Sequence, residues 1–293
     1  MSKIIISDEM EKDVVEEIKK LGEVDYLPKN LSESLQTADA LIVRSKTQVT
    51  KELLTHAPKL KLVLRGGVGL DNVDAVACKE RGIKVLNTPG ASSNAVAELT
   101  IGHIFSAKRF IAKAHLQIKN KIWDKKGLVG TELDGATLGL IGYGRIGALV
   151  GKKAAALGMK IIAYNPPPRQ EDGIAKFVEL DELFAKADVI SIHVPSLPET
   201  KGMINSASIA KMKKTAVIIN TSRGDIINED DLYEACKAGI IAGACLDVFS
   251  QEPYTGKLLE LDNVYLTPHL GANTKEAQLR IGAELVKLLK ENL

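Results

Sequence analysis

Three polar residues stand just past apolar runs in the second half of the chain, and together their types suit one kind of chemistry. Arg223 follows Ala216–Asn220 in NTSRGD, Glu252 follows Ala242–Asp247 in LDVFSQEP, and His269 follows Asn263–Thr267 in LTPHLGAN. A guanidinium offers a planar pair of donors that matches a carboxylate. An imidazole exchanges a proton near neutral pH, which is what a ketone oxygen needs as it becomes a hydroxyl. A carboxylate beside an imidazole holds its orientation and favours its protonated form. Asp247, at the end of the preceding run, is the fourth member of the set. Taken singly, these residues also read as a structural ion pair, a solvated loop acid and a loop histidine. As a set at strand ends they suit hydride transfer to a keto acid.

The second signal is the segment Thr137–Asn165, TLGLIGYGRIGALVGKKAAALGMKIIAYN. An apolar run enters Gly142, Tyr143, Gly144, Arg145, Ile146 and Gly147, and then come a helical pattern and a second apolar run. In such a loop the first glycine permits the tight turn. The second lets the backbone approach a pyrophosphate, and the third lets the helix lie close on the sheet. The free N–H groups at the helix start face the phosphates. The strand–turn–helix–strand context makes this a dinucleotide fingerprint rather than an isolated glycine motif. The acid that normally ends the second strand and binds the ribose hydroxyls is replaced by Asn165, with Arg169 a short way on. NAD is therefore the expected cofactor, and NADP stays open.

These residues need elements to position them. Short Val/Ile/Leu runs alternate with helical patterns along nearly the whole chain. The expected strands are Lys3–Ser7, Ala40–Arg44, Leu60–Leu64 and Ile83–Leu86, then Thr137–Ile141, Lys160–Tyr164, Val189–His193, Ala216–Asn220, Ala242–Asp247 and Asn263–Thr267. Continuous apolar runs without polar alternation mark parallel strands buried on both faces, and alternation with helices marks doubly wound α/β structure. Helices are expected over Asp8–Leu21, Asp71–Lys79, Arg145–Leu157, Asn228–Ala238 and Asn273–Leu289, with one long helical stretch over Ser92–Lys119. The strands fall into two sets, so two sheets are expected: a first part from 1 to 92, a nucleotide-binding part from 93 to 270, and a last helix, 271–293, with no strand after it.

Composition narrows the partners. The 39 Lys and Arg nearly balance the 37 Asp and Glu, which gives no reason to expect nucleic acid or an acidic membrane surface. No apolar stretch approaches the length of a membrane span. Cys78, Cys236 and Cys245 are widely spaced and read as reduced packing residues, so the cytoplasm is the expected location and no metal is expected. His56, His103 and His115 have no partner pattern and read as structural or surface residues.

With GYGRIG, NTSRGD, LDVFSQEP and TPHLGAN in this order, the chain resembles the D-isomer-specific 2-hydroxyacid dehydrogenases over nearly its full length, and most of all their phosphoglycerate dehydrogenase branch. That resemblance implies a Rossmann nucleotide domain inserted into a flavodoxin-like substrate domain, with the last helix returning to the latter. It implies Arg223 as the carboxylate binder and His269 as acid/base paired with Glu252. Asp247 would help place the nicotinamide amide or support the histidine. His193, in ISIHVP, would lie near the cofactor. The formate-oxidising branch has Gln where this chain has Glu252, so a 2-hydroxy acid is expected. Two further segments, Val43–Thr47 and Leu64–Asp71, resemble the family's substrate loops and bring in Arg44, Lys46, Gly67 and Val68 as substrate contacts, with Arg44 and Lys46 toward a 3-phosphate. The stretch after Ser92 resembles the family's dimer contact, so a homodimer through 93–130 is expected.

The implied reaction is NAD-dependent oxidation of D-3-phosphoglycerate to 3-phosphohydroxypyruvate, the entry to serine synthesis. A glyoxylate or hydroxypyruvate reductase would share every catalytic residue and differ at Arg44 and Lys46. A nucleotide-sensing corepressor would share the fold but bind without turnover. Because the chain ends at Leu293, directly after the returning helix, serine feedback through an added C-terminal domain is not expected.

Overall fold

The structure, a computed structural model, describes residues 1–167 and 172–293. Its chain divides into two compact units: Met1–Ser93 together with Ala272–Leu293, and Asn94–Gly271.

The first unit is built on five strands: β1 Lys3–Ile6, β2 Glu23–Tyr26, β3 Ala40–Val43, β4 Leu62–Arg65 and β5 Lys84–Asn87. All pair in parallel in the order β2-β1-β3-β4-β5. The second unit carries β6 Thr137–Ile141, β7 Lys160–Tyr164, β8 Ala175–Phe177, β9 Val189–Ile192, β10 Val217–Asn220, β11 Gly243–Leu246 and β12 Val264–Leu266. These too are all parallel, in the order β12-β11-β10-β9-β6-β7-β8. Both sheets are doubly wound, as expected. Every residue of β3, β9, β10 and β11 is buried, which is why their sequences run apolar without alternation.

In a doubly wound sheet, ligands bind beyond the carboxyl ends of the strands where the winding direction reverses. In the first unit that point lies between β1 and β3, and in the second between β6 and β9. The loop after β6 is the glycine loop, and the loop after β9 begins with His193.

Three expectations need correction. The two edge strands β2 and β8 were not expected; EVDY and AKF are short, charged and at most half-buried, so they lack an apolar run. The first helix begins at Lys12 rather than Asp8, because Asp8 is buried with its carboxylate engaged by the loop after β3. The stretch 92–119 is two helices, Ser93–Arg109 and Ile111–Lys119, parted at Phe110, whose φ of 55° breaks the right-handed helix.

The last helix, Lys275–Asn292, buries Ile281, Leu285 and Leu289 in one core with Ile4, Ile6, Val14 and Ile18 of the first unit. At Gly282 this helix lies against Val14 so closely that a Cβ would stand 2.1 Å from Val14 Cγ2. Alanine favours a helix over glycine by about 1 kcal/mol, but forcing a methyl into a packed core costs roughly 1–3 kcal/mol. Since Val14 is buried and branched at Cβ, the clash wins. Gly282→Ala is expected to lower the melting temperature by a few degrees in a thermal scan, whereas an increase would mean that the helix shifts freely.

Candidate active site

The carboxyl edge of the second sheet gathers the expected chemical residues. Arg223 follows β10, Asp247 ends the run through β11, and His269 follows β12, so neighbouring strands present all of them. Asn220, fully buried at the end of β10, holds the first turn. Its side-chain oxygen accepts from Ser222 N and Oγ, and its Nδ2 donates to the Arg223 carbonyl. The Arg223 guanidinium is partly buried and donates to the Ser222 carbonyl at 2.6 Å. Gly224 fits this turn because a Cβ there would fall 1.8 Å from the Phe249 carbonyl carbon. The NTSRGD turn therefore lies backbone-to-backbone against the segment that leads to Glu252.

His269 Nδ1 lies 2.8 Å from Glu252 Oε2, and Glu252 Oε1 accepts from Phe249 N. Both side chains reach solvent, so the outer face of the imidazole is accessible. His269 takes a left-handed backbone, φ 53°, which is a strained state for a residue with a side chain. Asp247 enforces it. Its carboxylate is fully buried and accepts from Thr267 Oγ1 at 2.6 Å, Leu270 N at 2.7 Å and Gly271 N at 2.8 Å, while its carbonyl accepts from His269 N. Of the two roles expected for Asp247, this geometry matches support of the histidine. His103 completes the chain: its buried ring places Nε2 3.2 Å from Thr267 Oγ1. Of the structural and surface readings of His103, the structural one holds: its buried ring braces the loop that carries His269. No periodicity signals such a contact, since the partners are 164 residues apart.

In the glycine loop the glycines differ. A Cβ at Gly142 would meet the His193 carbonyl at 2.7 Å, and one at Gly147 would meet the Gly142 carbonyl at 2.2 Å. At Gly144 a Cβ would meet nothing within 4 Å, and the residue is exposed, as is Arg145. Gly144 also starts the helix Arg145–Ala156 without a side-chain cap, so the first-turn N–H groups, including that of Ile146, meet no acceptor among the described residues. His193 adds a buried Nδ1 without a hydrogen-bond partner among the described residues, while its Nε2 lies 2.9 Å from Ser191 Oγ. An open backbone cradle, uncapped helix N–H groups and an orphaned ring nitrogen fit a dinucleotide phosphate group and its neighbours. Asn165 turns inward: its Oδ1 accepts from Tyr143 N at 3.0 Å and its Nδ2 donates to Pro166 O. It braces the glycine loop, a role the sequence did not suggest. Arg169 lies outside the described residues.

The first unit holds the remaining candidates. Arg44 follows β3 with its Nη1 donating to the Glu9 carbonyl, and the exposed Lys46 ammonium is 3.8 Å from the Glu9 carboxylate. The N–H of Gly67 is taken by the Arg65 carbonyl, and that of Gly66 by Val43. The expected backbone donors in this loop are thus narrowed to Val68 and Gly69, whose N–H groups meet no acceptor among the described residues. The Val68 carbonyl is held by Asn87 Nδ2. Among the described residues no cluster of His, Cys, Asp and Glu could hold a metal, and no helix is long and apolar enough to cross a membrane.

Burial holds the imidazoles of His193 and His103 below the usual histidine range, His193 down to about 3, with Asp247 partly opposing the effect at His103. The unfolded chain then binds protons that the folded chain refuses as pH falls below about 6.5. Stability is complete above that pH and declines below it, by up to about 1.4 kcal/mol per pH unit for each histidine. Asp39 and Asp188, whose carboxyls are held low by hydrogen bonds and lysines, add a further loss in more acidic solution. Denaturant unfolding of the cofactor-free protein is expected to weaken steadily from pH 6.5 to 4.5, and His193→Gln is expected to flatten that decline. An identical slope in the variant would show that the ring is protonated in the folded state.

Comparison with known proteins adds to this geometry. Residues 101–271 match the family described as D-isomer specific 2-hydroxyacid dehydrogenase, NAD binding domain. The chain is 46% identical to the hydroxypyruvate reductase of Thermotoga maritima, over 99% of this chain and 98% of that one. It is 45% identical to the D-3-phosphoglycerate dehydrogenase of Methanocaldococcus jannaschii, over 100% of this chain but 58% of that one. The chain thus spans little more than half of that longer relative. Among solved structures it is similar to the D-lactate dehydrogenase of Aquifex aeolicus complexed with NAD and lactic acid, with a TM-score of 0.87, 32% identity, and 99% of this chain and 94% of that chain covered.

Proposed function

Because the chain belongs to the D-isomer-specific 2-hydroxyacid dehydrogenase family, we propose that it oxidises D-3-phosphoglycerate to 3-phosphohydroxypyruvate, reversibly, with His269 and Glu252 as the acid/base pair and Arg223 as the carboxylate anchor. The protein is an NAD-dependent oxidoreductase, and the nicotinamide, when bound, would supply or accept the hydride. The observation that carries the reading is the His269–Glu252 pair, 2.8 Å apart, on the same sheet edge as the open glycine loop. Glu252 as a carboxylate accepts from Nδ1, so Nε2 is left to exchange the proton with the substrate oxygen. Asp247, through Thr267 and the backbone of 269–271, keeps that nitrogen in place. Arg223 pairs its guanidinium with the substrate carboxylate. Gly142, Gly144, Arg145, Ile146 and Gly147 cradle the cofactor phosphates, with Asn165 bracing that loop and His193 beside it. Arg44 and Lys46 support a phosphorylated substrate, because they put two cations on one short turn at the first sheet's reversal point.

A second reading is favoured by the Thermotoga relative, a hydroxypyruvate reductase that matches along nearly the whole of both chains. Absorbance at the reduced-nicotinamide band separates the two. The purified protein would be given 3-phosphoglycerate, D-glycerate, 3-phosphohydroxypyruvate, hydroxypyruvate and glyoxylate, each with NAD(H) and NADP(H). Highest kcat/KM on the phosphorylated pair supports the first reading. Preference for hydroxypyruvate or glyoxylate replaces it with the second, and binding of NADH without any turnover would overturn both.

The proposed assembly is a homodimer through 93–130. Its support is a run of exposed apolar side chains in that arm, among them Leu116 at 60%, Trp123 at 79% and Val129 at 80% exposure; such a patch on a free surface usually marks an interface. Sedimentation is expected to give a dimer for the parent chain and a monomer for a Leu116→Glu, Trp123→Glu variant. A monomeric parent chain would rule the assembly out.

A further inference from the structure

Asp8 is a charged residue that the chemistry above leaves unexplained. It lies just past β1, is 4% exposed, and among the described residues its carboxylate meets no cation. Instead the carboxylate accepts four different donors from the turn after β3: Arg44 N at 2.6 Å, Lys46 N at 3.3 Å, Thr47 N at 3.2 Å and Thr47 Oγ1 at 2.6 Å. Burying a carboxylate is costly unless its lone pairs are filled, and here they are filled by one turn only. On the other side of the same turn, Asn72 Nδ2 donates to the carbonyls of Arg44 and Thr47, at 2.9 and 2.7 Å. The turn is therefore clamped at both its N–H groups and its carbonyls.

The clamp has a chemical consequence. A turn whose successive N–H groups converge is a ready anion site. In this turn the N–H groups of Arg44, Lys46 and Thr47 already close on Asp8, so the positive charge that meets an incoming anion comes from the side chains of Arg44 and Lys46, with the exposed Ser45 between them. The Arg44 stem rests on the face of Gly66, 3.5 Å from where a Cβ would stand, and its guanidinium donates to the Glu9 carbonyl three positions beyond β1 in the Asp8 loop. One loop thus fixes both the backbone and the head of Arg44. The place is the β1/β3 reversal point, where the topology puts ligands. An ordered guanidinium loses less freedom when it binds than a solvated one.

We propose that Asp8 is a positioning residue for substrate binding, acting through the 44–47 turn to hold Arg44 where it meets the anionic end of the substrate. The proposal rests on the reading of Arg44 as a substrate contact. Its test is a double-mutant cycle of Asp8→Asn and Arg44→Ala in the full chain, with NADH and whichever of hydroxypyruvate and 3-phosphohydroxypyruvate the parent enzyme reduces better. An asparagine turns one acceptor into a donor facing the turn's own donors. Asp8→Asn is expected to raise the substrate KM about tenfold, as for one misplaced charge-assisted contact. Its kcat and its KM for NADH should stay within about threefold, and in the Arg44→Ala background it should add no further rise. A purely structural role would lower the melting temperature with the KM unmoved, or would raise the KM equally in both backgrounds, and either result overturns the proposal. An unchanged KM in Arg44→Ala would instead remove the reading of Arg44 beneath it. If Asp8→Asn does not fold, Thr47→Val removes one donor alone. It should raise the KM about threefold, again only while Arg44 is present; no rise, or one that persists without Arg44, overturns the proposal.

Discussion

Replacing His269 with asparagine is expected to lower kcat/KM for the 2-hydroxy acid by roughly 10² to 10⁴, the range that a positioned proton donor supplies. Asparagine is the substitution of choice because it tolerates the left-handed backbone at this site, φ 53°, better than most residues. The loop should therefore persist, with Asp247 still accepting from Thr267 Oγ1 and from the N–H groups of residues 270 and 271. NADH affinity, followed by the quenching or enhancement of its fluorescence on binding, is expected to stay near that of the parent chain. The loss then lies in the chemical step rather than in cofactor capture. Glu252→Gln should fall between the two. The amide can still accept from His269 Nδ1 but carries no charge to favour the protonated ring, and about a tenfold to hundredfold loss is expected. Retention of full activity in His269→Asn would mean that water or another group carries the proton, and the assignment of both residues would fail.

Arg223→Lys is expected to have the next largest effect. Lysine keeps the charge but not the fork of donors, so a carboxylate loses one of two parallel hydrogen bonds and its fixed orientation. A rise in substrate KM of roughly tenfold to a hundredfold is expected, with kcat falling as well because the keto carbon is held less well for transfer. The backbone of the turn has holds besides the guanidinium. Asn220 Nδ2 holds the Arg223 carbonyl, and Gly224 sits against Phe249 whatever the side chain at 223. A lysine variant with parent kinetics would show that the guanidinium serves the turn, where it donates to the Ser222 carbonyl, and not the substrate.

Much of this was written into the chain locally. The glycine loop could be read because each element it needs lies within some thirty residues: an apolar strand, three glycines at set intervals, an amphipathic helix and a second strand. The buried strands could be read for the same reason, since a parallel strand covered on both faces must be apolar throughout. Arg223, Glu252 and His269 could be singled out because they stand in the loops that follow such strands, and parallel strands place their carboxyl ends on one edge. The edge strands β2 and β8 escaped because a strand with one neighbour and solvent beside it needs no apolar run.

What the tertiary structure decided is the second rank of residues, those that hold the first in place. Asp247 serving the His269 loop, His103 reaching Thr267, Asn165 turning back to Tyr143, and Asp8 gripping the turn at Arg44 are all hydrogen bonds between segments far apart in the chain. A side chain that bonds to distant backbone leaves no periodicity and needs no particular neighbour in sequence. Before the chain is folded, an aspartate committed to four donors reads the same as one in solvent. Residue types at strand ends were enough to identify the chemistry. Which polar groups are buried, and therefore must be satisfied, depends on how the strands stack and where the chain returns, and only the folded molecule determines that.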